Sequence, residues 1–216
     1  MNIRSTRFLT QAAAIGAAYL VLTLPFAQFA FGGPFQFRLA EALTVLAALT
    51  PAAIPGLFIG CLLANLFNPQ SLGPIDIVFG SLASLLSAWL TWRWHQRLRE
   101  GQVVKNIRYG QYSVVDGGQG LAEKSAADQE KEEIADMKLH AHPWLKTILV
   151  ISPSVWVNAL VVGFYLPFLI PGQALSPVIV IGFMGSIFVS QAIMVYLIGL
   201  PLLKALRKAY SGKRLV

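Results

Sequence analysis

The chain has 216 residues, of which 56% are hydrophobic and 12% charged, against roughly 25% charged in an ordinary soluble domain. Too few polar side chains are present to cover a water-facing surface, and the apolar residues come in long blocks, which excludes a soluble globular domain and points to an all-α bundle in a lipid bilayer. The formal charge of +7 invites a nucleic-acid reading, but the basic residues gather at the ends of apolar blocks, at Arg4 and Arg7, at Arg93, Arg97 and Arg99, and from Lys204 to Arg214, which is a topology signal instead.

The first block, about residues 8–31, is long enough at about 1.5 Å per residue to cross a hydrocarbon core of about 30 Å. Its basic start resembles a secretory signal. The apolar run nevertheless passes Phe26 without a small-residue cleavage site, so it reads as a retained spanning helix. Within it Ala13 and Ala17, and likewise Ala14 and Ala18, share a helix face. Such a face suits internal packing or the docking of a separate subunit, because helices in lipid associate through contact between small side chains.

Gly32-Gly33-Pro34 ends that helix, and a short polar stretch through Glu41 leads into a second span, about 39–54. Pro51 and Pro55-Gly56 mark a bend before a short third span, about 55–68. Asn68-Pro69 and Gly73-Pro74 then turn the chain into a fourth, about 75–94, where Gly80, Ser84 and Ala88 form another small-residue stripe. From about 95 to 144 the composition changes. Every acidic residue except Glu41 and Asp76 lies there, which predicts a solvated loop, with 125–137 charged enough for a surface helix. Gly118, Lys124 and Ser125 suggest a phosphate-binding loop until Glu123 is seen where its second glycine belongs.

The fifth and sixth spans, about 145–170 and 177–203, are separated by Pro171-Gly172. Six crossings place both termini on one side. With both termini and the long loop cytoplasmic, every basic residue except Arg38 lies inside. The expectation is one membrane domain over 1–216, a bundle of six transmembrane helices in the cell membrane.

Glu41 and Asp76 are the informative residues, because an ionised group at the start of a spanning helix costs free energy unless it is paired or hydrated. A functional role competes with two plainer ones: a carboxylate favoured by the helix dipole, or a simple pair between Glu41 and Arg38. Asn65, Asn158 and Gln191, with Tyr165 and Tyr196, are the other polar groups inside the spans. Amides serve equally as links between helices and as ligand contacts. Taken together with Arg38, Glu41 and Asp76, the set suggests a polar pocket in the outer half.

Nothing suggests an enzyme. His95, His140 and His142 lie at or beyond the inner edge, the His140 to His142 spacing comes without carboxylate or cysteine neighbours in sequence, and Cys61 is the single cysteine, so no metal or other cofactor is expected. Neither a Walker sequence nor a Gly-x-Ser-x-Gly elbow is present. A stand-alone secondary transporter or channel for a small polar solute would also fit six helices, although no inverted repeat is visible.

The strings Phe37-Arg38-Leu39-Ala40-Glu41-Ala42-Leu43-Thr44, Ile54-Pro55-Gly56-Leu57-Phe58-Ile59-Gly60-Cys61 and Asp76-Ile77-Val78-Phe79-Gly80-Ser81 resemble the QueT family. The likeness extends to Val157-Asn158-Ala159-Leu160 and to the segment 197–203, nearly the whole chain apart from the long loop. The resemblance implies an S component, the solute-binding subunit of an energy-coupling factor importer, working with a transmembrane coupling protein and two ATPase subunits. It also implies a role for Ala13, Ala14, Ala17 and Ala18 in docking on that coupling protein. The implied solutes are queuosine precursors, deazaguanines such as the 7-aminomethyl compound or queuine. One carboxylate would accept the adjacent N–H groups of a guanine-like edge, a donor such as Arg38, Asn65 or Asn158 would meet its carbonyl, the second carboxylate would suit an aminomethyl cation, and Phe37 or Tyr165 would stack on the ring. Where this chain has Gln191, the family usually carries a glutamate.

Overall fold

A computed structural model describes residues 6–27, 38–68, 72–112, 143–172 and 175–212, with side chains described except at 99–112, 143 and 210–212. The described residues form helices and connecting turns. They comprise α1 (Thr6–Thr23) with a single 3-10 turn at its end (Leu24–Phe26), a longer 3-10 helix (Leu39–Ala48; hereafter the 3-10 helix), α2 (Ala53–Phe67), α3 (Pro74–Tyr112), α4 (Pro143–Leu169), α5 (Pro177–Ala192), a π-helical segment (Ile193–Gly199) and α6 (Leu200–Gly212). Phe37, the phosphate-loop lookalike at 118–125, the stretch 125–137, His140 and His142 lie outside the described residues.

Four helical stretches are long and apolar enough to cross a membrane: Thr6–Phe26, Pro74–Leu98, Trp144–Leu169 and Pro177–Ala209. Two shorter apolar helices, Leu39–Ala48 and Ala53–Phe67, complete a set of six. Their outward faces carry many exposed large apolar side chains. Val21, Val178 and Leu197 are 68%, 78% and 70% exposed, a state that is favourable only where the surrounding solvent is hydrocarbon.

Three boundaries differ from the sequence reading, each for a physical reason. The second helix stops at Ala48, and a turn over 49–52 precedes α2. Pro55 does not begin the third helix but sits in the first turn of α2, where its missing N–H has no carbonyl to serve. Helix α3 runs on to Tyr112, because Arg97, Leu98, Arg99 and Glu100 are good helix formers in water. The charge that marks the end of the membrane does not mark the end of the helix.

The last span is continuous but passes through the π segment just before Pro201. Proline lacks an N–H and its ring crowds the carbonyl four residues earlier, here Leu197, inside that segment. The wider ladder absorbs the mismatch.

The 3-10 helix is the buried centre of the fold and touches α1, α2, α3, α4, the π segment and α6. Its alanines are the reason: Ala40, Ala42, Ala47 and Ala48 are buried and let all these neighbours approach. At three residues per turn, side chains at i and i+3 eclipse. Glu41 and Thr44 therefore stand in one row, the Thr44 hydroxyl donates to the Glu41 carbonyl at 2.7 Å, and the Glu41 N–H donates to the carbonyl of Arg38, the N-cap residue, at 3.0 Å.

Helices α1 and α2 meet through glycine. A Cβ on Gly60 would lie 2.7 Å from the Tyr19 Cβ and 3.0 Å from the Gly16 carbonyl oxygen, so no side chain fits without parting the helices. We expect Gly60→Ala to cost about 1–3 kcal/mol through overpacking, read as a lower thermal midpoint of the purified protein. An unchanged midpoint would show that the two helices are not held at this distance.

Candidate functional site

Six of the expected polar residues converge at the end of the bundle where α3 begins and α4 ends, in two tiers. The first tier is built on Asp76, third residue of α3 and 1% exposed. Its Oδ1 accepts a hydrogen bond from the Tyr165 hydroxyl of α4 at 2.8 Å and lies 3.8 Å from Nη2 of Arg38, itself 4% exposed. Its Oδ2 is buried and accepts no hydrogen bond among the described residues.

Gly80, one turn further along α3, forms the wall beside this pair. An ideal Cβ there would sit 3.1 Å from Asn65 Nδ2, 3.4 Å from the Tyr165 hydroxyl and 3.7 Å from Arg38 Nη1. Glycine thus lets α2, α4 and the start of the 3-10 helix bring three polar groups to one point. Asn65 also directs its Nδ2 at the Cys61 sulfur, 3.6 Å away. Phe79 packs on the Tyr165 ring with centroids 5.9 Å apart, which holds that ring in place.

The second tier is Glu41, 1% exposed. Its Oε1 accepts from the Tyr19 hydroxyl of α1 at 2.8 Å and from the Ser84 hydroxyl of α3 at 3.4 Å. Its Oε2 accepts from Asn158 Nδ2 of α4 at 3.1 Å. Ser84 lies eight residues beyond Asp76 and Asn158 seven before Tyr165, so the backbone anchors of the two tiers stand roughly 10–12 Å apart along α3 and α4, with Gly80 midway between them. A carboxylate in a water-poor interior needs its oxygens filled, and three helices supply donors to this one.

Arg38, Glu41, Asn65, Asp76, Asn158 and Tyr165 are thus brought together. Gln191, 3% exposed on α5, is buried with its Oε1 accepting no bond among the described residues, and no hydrogen bond links it to either tier. Sequence reasoning missed Tyr19 and Ser84. The signal for Ser84 was its spacing, since Asp76, Gly80 and Ser84 fall on one face of α3; only Ala88 of the expected small-residue stripe serves apolar packing, in the core between α1 and α2. For Tyr19 the only hint was a phenol within the apolar stretch 12–22 of α1.

The alanine face of α1 divides. Ala13, Ala14 and Ala17 are exposed, whereas Ala18 is half-buried against the core and does not belong to the open face. Ala13 and Ala17 line an apolar groove of about 730 Å³ with Gly16, Leu20, Trp89 and Trp92.

A family model described as QueT transporter matches residues 9–208. No curated protein and no solved structure matches the chain.

Proposed function

Because this chain belongs to the QueT transporter family, a family of membrane transporters, we propose that it is the S component of an energy-coupling factor importer and captures a deazaguanine precursor of queuosine. One observation carries the reading: two carboxylates and a guanidinium are buried together inside a membrane bundle, ringed by Tyr165, Asn65 and Asn158. Ionised groups at such depth are expensive and mark solute or ion paths. Amide, phenol and carboxylate groups around one point match the mixed donor and acceptor edge of a guanine-like ring.

The positive-inside pattern supports cytoplasmic termini in the cell membrane, which turns the start of α3 and the polar tiers outward, toward incoming solute. The groove beside Ala13 and Ala17 supports docking of the coupling protein, since small side chains allow close approach of a second helix. Two ATPase subunits would then supply the energy.

Reconstitution tests this directly. Liposomes holding the chain with a coupling protein and two ATPases are expected to accumulate 7-aminomethyl-7-deazaguanine when supplied with ATP, and liposomes holding the chain alone are not. Accumulation by the chain alone would favour a secondary carrier. Ala17→Trp is expected to leave solute binding within about 2-fold while lowering co-purification of the coupling protein at least 10-fold, a loss of about 1.4 kcal/mol. Lost solute binding with intact assembly would place the groove's role elsewhere.

A further inference from the structure

The two carboxylates are not equivalent, and we infer that Asp76 alone meets the solute, through a positively charged N–H group, while Glu41 is a positioning residue. This rests on the reading above and sharpens it to a class: a monocation whose charged nitrogen donates to Asp76 Oδ2.

The hydrogen-bond inventory makes the first half of the case. Both Glu41 oxygens are occupied by donors from α1, α3 and α4, so a solute reaching Glu41 would have to displace bonds that tie three helices to the buried 3-10 helix. Asp76 presents Oδ2 buried and without a donor. An unfilled carboxylate oxygen at 1% exposure is costly in the empty protein, and the cost disappears when a guest brings an N–H to it.

Charge makes the second half. Among the described residues Arg38, Glu41 and Asp76 are the buried charged ones. In formal charges the guanidinium balances one carboxylate and leaves −1 in a low-dielectric interior, an arrangement that a guest of charge +1 neutralises and a neutral guest does not. The open oxygen and the excess charge coincide at Asp76. Gly80 lets Asn65, Tyr165 and Arg38 close on one point beside Asp76, so donors and acceptors for the rest of the guest stand next to the carboxylate.

Two probes that differ in charge at one substituent test the assignment: cationic 7-aminomethyl-7-deazaguanine and neutral 7-cyano-7-deazaguanine, titrated into the purified full chain. The wild type is expected to prefer the cation at least about 10-fold, the scale of one charge-assisted hydrogen bond. Asp76→Asn is expected to bring the two affinities within about 3-fold, chiefly by weakening the cation. Glu41→Gln is expected to weaken both probes by one common factor and to lower the thermal midpoint, leaving the preference intact. Should Asp76→Asn not fold, the wild-type preference and its retention in Asp76→Glu, which keeps the charge, carry the test. Equal wild-type affinities, or a preference lost in Glu41→Gln and kept in Asp76→Asn, would overturn this inference alone. A wild type that binds neither probe would overturn the deazaguanine reading and this inference with it.

Discussion

Glu41→Ala is expected to destabilise the bundle by about 3–5 kcal/mol, the range for removing one partner from a buried charged network. The substitution strands the Tyr19 hydroxyl, the Ser84 hydroxyl and Asn158 Nδ2 in an interior with no water to replace the lost acceptor. Each orphaned donor costs about 1–3 kcal/mol, and relaxation recovers part of the sum. Ser84 can turn back to a carbonyl of its own helix, as Ser81 already bonds to Ile77. Tyr19 keeps only the weak Cys61 sulfur as a partner, since its phenol is held where α1 crosses α2, with its Cβ against Gly60.

For a chain of this size about 1 kcal/mol corresponds to roughly 2–4 °C, so the thermal midpoint of the purified protein should fall by on the order of 10 °C. Solute binding should fall with it, because Arg38 caps the same 3-10 helix, its carbonyl accepting from the Glu41 N–H at 3.0 Å, and loses its position when that helix is no longer anchored. A midpoint within about 2 °C of wild type would mean that the three helices are not tied through this carboxylate.

The class of fold was legible because lipid imposes a coarse constraint. Apolar blocks long enough to span must be helices, and blocks such as 145–170 and 177–203 need no further information than length and hydropathy. What lay beyond reach was helix type. The segment 39–48 satisfies the same apolar pattern whether it is α or 3-10, and its conformation is set by six neighbours crowding its alanines, a property of the assembled bundle. The same holds for the end of α3, where the membrane signal stops at the arginines and the backbone continues.

The site was legible through its charges and illegible through its neutral groups. Glu41, Asp76 and Arg38 stand out in any apolar sequence because ionised groups are rare there. Tyr19 and Ser84 carry no such mark, since a phenol or a hydroxyl in a membrane helix is ordinary until its partner is known. The different standing of the two acids was hidden for the same reason: it depends on which donors reach which oxygen, and those donors come from α1, α3 and α4, far apart in sequence.

Gly80 offers the sharpest separation of binding from stability. A methyl group at this position would stand 3.1 Å from Asn65 Nδ2, tighter than ordinary contact, and 3.4 Å from the Tyr165 hydroxyl. Those neighbours are side-chain tips that give by a few tenths of an ångström, and alanine inside a helix gains about 0.5–1 kcal/mol over glycine. The folded chain should therefore tolerate Gly80→Ala, with a midpoint within about 3 °C of wild type. Solute binding should not tolerate it. The added methyl group occupies the wall of the proposed pocket and pushes Asn65 and Tyr165 away from the point at which they converge with Arg38, so the 7-aminomethyl-7-deazaguanine affinity should drop at least about 10-fold, or about 1.4 kcal/mol, and further for Gly80→Val. A polar cluster that served only to fasten helices would show the reverse, with altered melting and unaltered titration. Unchanged affinity in both variants would remove Gly80 from the pocket wall and move the solute away from the Asp76 tier.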